Sequence, residues 1–254
     1  MIRLIALLQA RDAERYLPGW LQNVASCVAG IVALDDGSTD RTAEILGEHP
    51  RLLELLRNPP GRPWNERANQ IALVEAGRRH RAEWLLCLDA DERLEPGFVE
   101  HAPRLLEDAE RDGIQVLRFH LRELWNDPFH YRVDGIWGRK TLCRAFKNVP
   151  GHRRFDPRPL HRFWMPLELV AALETVSRHT HLNIYHLKMI EAAERIARVR
   201  RYEALDPHAL YQRGGYRYLT DETNLALEEI PPARRFVPAW EPVLAGAPGR
   251  APGR

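Results

Sequence analysis

The chain has 254 residues, 44% hydrophobic and 28% charged, with a formal net charge of +2. A chain this long can bury roughly 70–75% of its unfolded surface, so it needs no disulfides or structural metals, and the composition excludes a disordered or fibrous protein. The near-balance of charge gives no electrostatic reason for a nucleic-acid partner. Of the 37 basic residues only Lys140, Lys147 and Lys188 are lysines. A GC-rich coding bias explains that skew, and phosphate recognition by guanidinium forks is compatible with it. Cys27, Cys87 and Cys143 are widely spaced and form no CxxC pair, as expected for core thiols in a reducing compartment. The apolar start meets charge by Arg11, and no later run approaches 18 apolar residues. The expectation is a soluble, cytoplasmic protein with at most peripheral contact at the inner face of a membrane.

Residues 2–8 (IRLIALL) predict a strand buried on both faces. A helix is expected over 13–25, with Leu17, Trp20, Leu21 and Val24 on one side. IVALD (31–35) predicts a second buried strand that stops at the turn dipeptide Asp36-Gly37, and Ser38, Thr39 or Asp40 can cap a helix running to about Leu46. A third strand over 52–56 ends at Asn58-Pro59-Pro60-Gly61. A helix over 64–80 and a fourth strand, WLLCLDAD (84–91), follow. Alternating strands and helices with short connections imply an α/β domain with a largely parallel sheet, in which ligands bind beyond the carboxyl ends of the strands.

Farther on, a helix is expected over 97–111, a strand over 114–120, and a loop-rich stretch over 123–166 that holds Trp125, Trp137 and Trp164. A strand over 182–187 and an amphipathic helix over 189–205 follow. That helix places Ile190, Ala193, Ile196 and Ala197 on one face, and Arg195, Arg198 and Arg201 on another that reads first as solvated. The Pro/Gly-rich tail, 245–254, is expected to be disordered.

Two strands end in acidic clusters, Asp35-Asp36 and Asp89-Ala90-Asp91-Glu92. Carboxylates at i and i+2 share a face of an extended strand, and a turn there can aim both into a cleft. They are hard ligands suited to Mg²⁺ or Mn²⁺, ions often shared with substrate phosphates. Asp36-Gly37-Ser38 sets an acceptor and a flexible backbone at the end of the second strand. It matches neither a GxGxxG nor a Walker loop.

IALLQARDAERYLPGWL, LDDGSTDRT and WLLCLDADERL, in that order over residues 2–98, resemble the N-terminal half of a family 2 glycosyltransferase with the GT-A fold. IYHLKMIEAAERIARVRRYEAL (184–205) is similar to the ending of bacterial members that build surface polysaccharides. The resemblance implies a Rossmann-like, three-layer α/β fold with a mostly parallel mixed sheet. A GT-A domain would span 1–187, divided into a nucleotide-sugar half (1–98) and an acceptor half (99–187). A helical extension (188–240) and a disordered tail (241–254) would follow. It further implies a metal-dependent transfer from a nucleotide-diphosphate sugar, a UDP-sugar, to a saccharide, lipid-linked or small-molecule hydroxyl.

Carried onto this sequence, Gln9, Ala10 and Arg11 would contact the nucleobase and Asp36 the uracil. Arg67 and Asn69 would contact base or phosphate, Asp89 with Ala90 the ribose side, and Asp91 the metal ion, Mn²⁺ or Mg²⁺. His186 is either a further ligand or a core histidine. Arg195–Arg201 could add phosphate contacts. In the acceptor half, tryptophan faces suit sugar rings. An inverting enzyme also needs a base. Where an acid is expected after a histidine, this chain reads Leu160-His161-Arg162, which leaves Asp156, Glu168, Asp134 and His161. Asp156, between Arg154 and Arg158, is the first choice. A nucleotidyltransferase would show a glycine-rich loop after the first strand, and QARDAERY has none. A nucleotide-binding module without activity is the remaining alternative.

Overall fold

The computed structural model describes residues 2–158 and 163–238. The Leu160-His161-Arg162 stretch and the tail after 238 lie outside them. In chain order the elements are β1 (Leu4–Ala10), α1 (Leu17–Val24), β2 (Gly30–Asp35), α2 (Thr42–Gly47), β3 (Leu52–Arg57), α3 (Glu66–Arg79), β4 (Trp84–Cys87), β5 (Glu92–Leu94), α4 (Pro96–Arg111), β6 (Val116–Glu123), β7 (His130–Arg132), β8 (Thr141–Lys147), α5 (Leu167–Ala171), α6 (Leu173–Val176), β9 (Ser177–His186), α7 (Ala192–Leu205) and β10 (Leu227–Glu229).

Eight strands form one sheet in the order β3-β2-β1-β4-β8-β6-β9-β5. Four of its seven pairings are parallel: β2–β3, β1–β2, β1–β4 and β6–β9. The other three are antiparallel. Every residue of β1 is buried, and its side chains alternate between two cores. Leu4, Ala6 and Leu8 pack with Trp20 and Leu21 of α1 and Phe98 and Leu106 of α4. Ile5 and Leu7 pack with Leu73 and Val74 of α3 and with Phe146, Trp164 and Met165. Helices cover both faces of the sheet, the α/β layering that the continuous apolar strands require.

α3 starts where the Asn65 side chain accepts the Ala68 amide at 3.0 Å, satisfying one otherwise unpaired N–H of the first turn. Gly37 holds the turn after β2 at φ +74°, where a Cβ would meet the Pro59 carbonyl oxygen at 2.7 Å. Glycine there lets the Pro59-Pro60 loop approach.

Four expectations need correction. The fourth strand stops at Cys87, and Asp89–Asp91 form a turn into β5, which pairs antiparallel with β9 through Glu92↔His186 and Leu94↔Ile184. The stretch 123–166 is less loop-like than its charge suggested, because β8 inserts between β4 and β6. Trp125, Trp137 and Trp164 are 0%, 3% and 5% exposed, so they are core residues and do not offer faces to a sugar. In α7 the polarity is reversed: Arg195 is 3% exposed, whereas Ile196 is 44% exposed and Ala193 and Ala197 face solvent. Arg195 is drawn inward because its guanidinium donates to the Met189 and Ile190 carbonyls at 2.7 and 2.8 Å. It also pairs with Glu222 at 2.9 Å and stacks on Trp125. Among the described residues no helix is long and apolar enough to cross a membrane.

Candidate active site

The carboxyl ends of β1, β2 and β4 open on one edge of the sheet, and the turn after β4 is fixed from beneath by a buried arginine. Arg93, 1% exposed, donates to the carbonyls of Ala90 (2.9 Å), Glu92 (2.8 Å) and Tyr16 (2.7 Å). With its backbone held this way, the turn brings Asp91 to the end of β9. There Asp91 Oδ2 faces His186 Nε2 at 3.3 Å, and the Asp91 carbonyl accepts the Leu187 amide at 2.8 Å.

His186 Nδ1 binds the buried carboxylate of Glu123, whose other oxygen accepts from Lys140 Nζ at 3.0 Å. Arg198 Nη1 lies 3.0 Å from His186 Nε2. Burial alone would disfavour a charged imidazole. Glu123 and Asp91 outweigh burial and Arg198, and push His186 up to about 9. Burial likewise opposes ionisation of Asp91, yet His186, Lys188 and Arg198 hold it well below the usual carboxylate range. Glu123 is lowered as well, by His186 and Lys140 against its burial. So Arg198 is not on a solvated face.

Asp89 sits on the neighbouring side of the turn and accepts from Arg144 Nη2 of β8 at 2.8 Å. Arg144, 9% exposed, also binds Glu92, whose second oxygen accepts the Asp89 amide at 3.1 Å. Burial, together with Asp89 and Asp91, pushes Glu92 up to about 7 despite Arg144.

At the end of β2, Asp36 is fully buried. Asn58 Nδ2 donates to Asp36 Oδ1 at 2.6 Å and to Asn69 Oδ1 at 2.9 Å. Arg11 pairs with Asp36 at 3.4 Å and donates to the carbonyls of Asp36 (2.5 Å) and Arg62 (2.9 Å). Ala10 contributes its carbonyl, which accepts the Asp36 amide at 2.8 Å. Three buried polar atoms here have no hydrogen-bond partner among the described residues: Gln9 Nε2, Asn69 Nδ2 and Asp36 Oδ2. The Arg11 and Arg201 guanidiniums both lie over the Trp64 ring, 5.7 and 4.7 Å from its centre.

The structure thus gathers Arg11, Asp36 and Asn69 in one group, and Asp91 and His186 in another. Arg67 is exposed on the first turn of α3 and joins neither. Asp156 is 6% exposed and holds the Arg158 guanidinium, at 2.8 Å through Nε. Arg154 turns instead to Glu168, at 3.1 Å. No contact joins Asp156 to Asp89, Asp91 or His186 among the described residues.

Residues 15–158 match the family described as Glycosyl transferase family 2. The chain belongs to this family. Two uncharacterised proteins, from Mycobacterium tuberculosis and Mycobacterium bovis, are each 27% identical over 99% of this chain, which spans only 63% of their length. A mannosyltransferase from Pyrobaculum calidifontis, solved with GDP-mannose and Mn²⁺, superposes with a TM-score of 0.50 at 15% identity. It covers 84% of this chain and 64% of its own. At that identity the likeness speaks for a shared GT-A fold.

Within this family 2 chain, sequence reasoning missed Glu123, Arg93, Arg144, Asn58 and Trp64. Glu123 ends a strand that the apolar pattern closes at 120, and Arg93 and Arg144 read as surface charges. The Asn58-Pro59-Pro60-Gly61 turn was visible, but its approach to Gly37 was not.

Proposed function

We propose that the protein is a metal-dependent glycosyltransferase that moves a sugar from a nucleotide-diphosphate donor, a UDP-sugar, to a hydroxyl acceptor with inversion. The observation that carries this reading is Asp91 facing His186, with the buried Asp36–Asn58–Asn69 group likewise at the carboxyl ends of the parallel strands. Asp36 Oδ2, Asn69 Nδ2 and Gln9 Nε2 are buried without a hydrogen-bond partner among the described residues, one acceptor and two donors that a base edge would satisfy on binding. Stacking on Trp64 would hold the base or ribose against this edge.

Asp91 and His186 would hold the ion. Glu123 fixes the His186 ring through Nδ1 and leaves Nε2 as the ligand atom, the usual outer-shell arrangement for an imidazole ligand. One imidazole with one carboxylate suits Mn²⁺ better than Mg²⁺. Such an ion supplies Lewis-acid stabilisation to the departing diphosphate. The chain's own part is to orient Asp91 through the Arg93-braced turn and to place Arg198 and Lys188 where negative charge develops on the leaving group. Arg144 fixes Asp89 toward the ribose. For the acceptor proton we propose Asp156, ion-paired to Arg158 and carried by the acceptor half.

The test is release of UDP from UDP-sugars with no acceptor, in Mn²⁺, Mg²⁺ or EDTA. Slow release in Mn²⁺, abolished by EDTA and reduced on the order of 10²–10³ in Asp91→Asn, supports the reading. No release from any donor in either metal contradicts it.

A further inference from the structure

The transfer chemistry leaves three clustered histidines unused. His120 on β6 and His179 and His181 on β9 bring ring nitrogens to within 4.8 Å of one another, with His120 and His179 half-buried and His181 exposed. Ring centres are 4.3 Å apart for His120–His179 and 4.8 Å apart for His179–His181.

The backbone departs from regular pairing to make this cluster. Arg118 pairs with His179, but His120 pairs with Asn183, so β9 takes four steps where β6 takes two. The excess forms a bulge, Thr180 Oγ1 donates to the Arg118 carbonyl at 2.9 Å, and His181 adopts φ +60°. Left-handed backbone at a non-glycine residue is strained, and such strain gathers at functional sites.

Two of the ring nitrogens, His120 Nδ1 and His179 Nε2, are buried with no hydrogen-bond partner among the described residues. Burial, helped by Arg122, His179, His181 and Arg234, pushes His120 down to about 4, and burial also lowers His179. These rings are therefore neutral near pH 7, the form that ligates metals. Imidazole sets select borderline transition ions over Mg²⁺ or Mn²⁺. We propose that His120, His179 and His181 form a second metal site, for Zn²⁺, apart from Asp91 and His186.

Two features of the cluster define how such an ion is held. His179 Nδ1 accepts the His181 amide at 3.0 Å, so a metal at Nε2 requires the proton to move to Nδ1 and this bond to open. The nitrogens, now within 4.8 Å of one another, would also have to close toward the ~3.3 Å spacing that 2.0–2.1 Å bonds impose on tetrahedral zinc. Around the cluster, Arg234 is paired with Glu95 at 2.7 Å and Arg122 donates to Asn183 at 2.8 Å. Arg118 Nε is buried with no hydrogen-bond partner among the described residues. This basic surrounding calls for an anion, hydroxide or chloride, in the fourth position. His120 precedes Glu123 by three residues and His181 precedes His186 by five, so an ion here would brace the two strands that carry those residues.

The test uses the tag-free, EDTA-stripped full chain, titrated with Zn²⁺ by calorimetry and with Co²⁺ by visible absorption, in the absence of any donor. Asp91→Asn should retain one equivalent of Zn²⁺ and the intense bands of tetrahedral Co²⁺. His181→Asn keeps a residue that tolerates left-handed backbone, and it should weaken Zn²⁺ at least tenfold with unchanged circular dichroism. His120→Gln should do the same. Absence of any Zn²⁺ site that survives Asp91→Asn, or equal affinity in the wild type and His181→Asn, overturns the proposal.

Discussion

Replacing Glu123 with glutamine isolates the electrostatics that hold His186. In the metal-free protein the imidazole is raised from an ordinary 6.5 to about 9, Glu123 being the larger favourable influence and Asp91 the second. A rise of that size corresponds to about 3 kcal/mol of favourable interaction with the protonated ring. Because the folded value lies above the unfolded one, the stabilisation is complete below about pH 6.5 and is lost as pH climbs through about 9. Glu123→Gln removes the buried charge and should cost about 3 kcal/mol at pH 6.5, within the range for breaking a buried pair. At pH 9.5, where the ring is mostly neutral in the wild type and neutral in the variant, the cost should shrink to about 1 kcal/mol. Urea unfolding in EDTA across this range measures the difference, and groups that titrate alike in both proteins cancel. Parallel curves would refute the assignment of Glu123 as the group that holds the His186 proton.

Further perturbations test the supports of the site. Arg93→Met removes three hydrogen bonds to buried carbonyls and should lower stability by about 3 kcal/mol in urea unfolding, with Mn²⁺ binding weakened as the Asp89–Asp91 turn loosens. Gly37→Ala forces a Cβ against the Pro59 carbonyl at a positive φ. It should destabilise by about 1–3 kcal/mol, read as a lower Tm by calorimetry. Asn58→Asp sets a second carboxylate against Asp36 and should weaken UDP binding about tenfold or more in calorimetric titration. Trp64→Ala should weaken UDP by about 1–3 kcal/mol if the base stacks there, with little change in Tm because the side chain is half-exposed.

The sheet's parallel half was legible because β1, β2 and β4 are continuous apolar runs that need helices on both faces. The candidate donor residues Gln9, Asp36 and Asp89 follow from where those runs end. β8 was not legible: TLCRAFK has no clean alternation, and it becomes a strand only when β4 and β6 offer both edges. The same non-local cause hid the junction of Asp91 with Glu123 and His186, which depends on β5 pairing with a strand about ninety residues later in the chain. α7 misled for a different reason. A periodic pattern assigns arginines to water, but Arg195 finds two carbonyls, Glu222 and the Trp125 face, and that set offsets its desolvation. The buried tryptophans follow the same logic, since Arg132 and Lys140 cover Trp137.

The most direct test of a metal-linked donor site is the change in unfolding free energy with UDP and Mn²⁺, in the wild type and in Asp91→Asn. Ligand at 100 times its dissociation constant should stabilise the wild type by about 2.7 kcal/mol. That gain should vanish in EDTA and be mostly lost in Asp91→Asn. Equal stabilisation in both proteins and in EDTA, or none in either, would contradict the account.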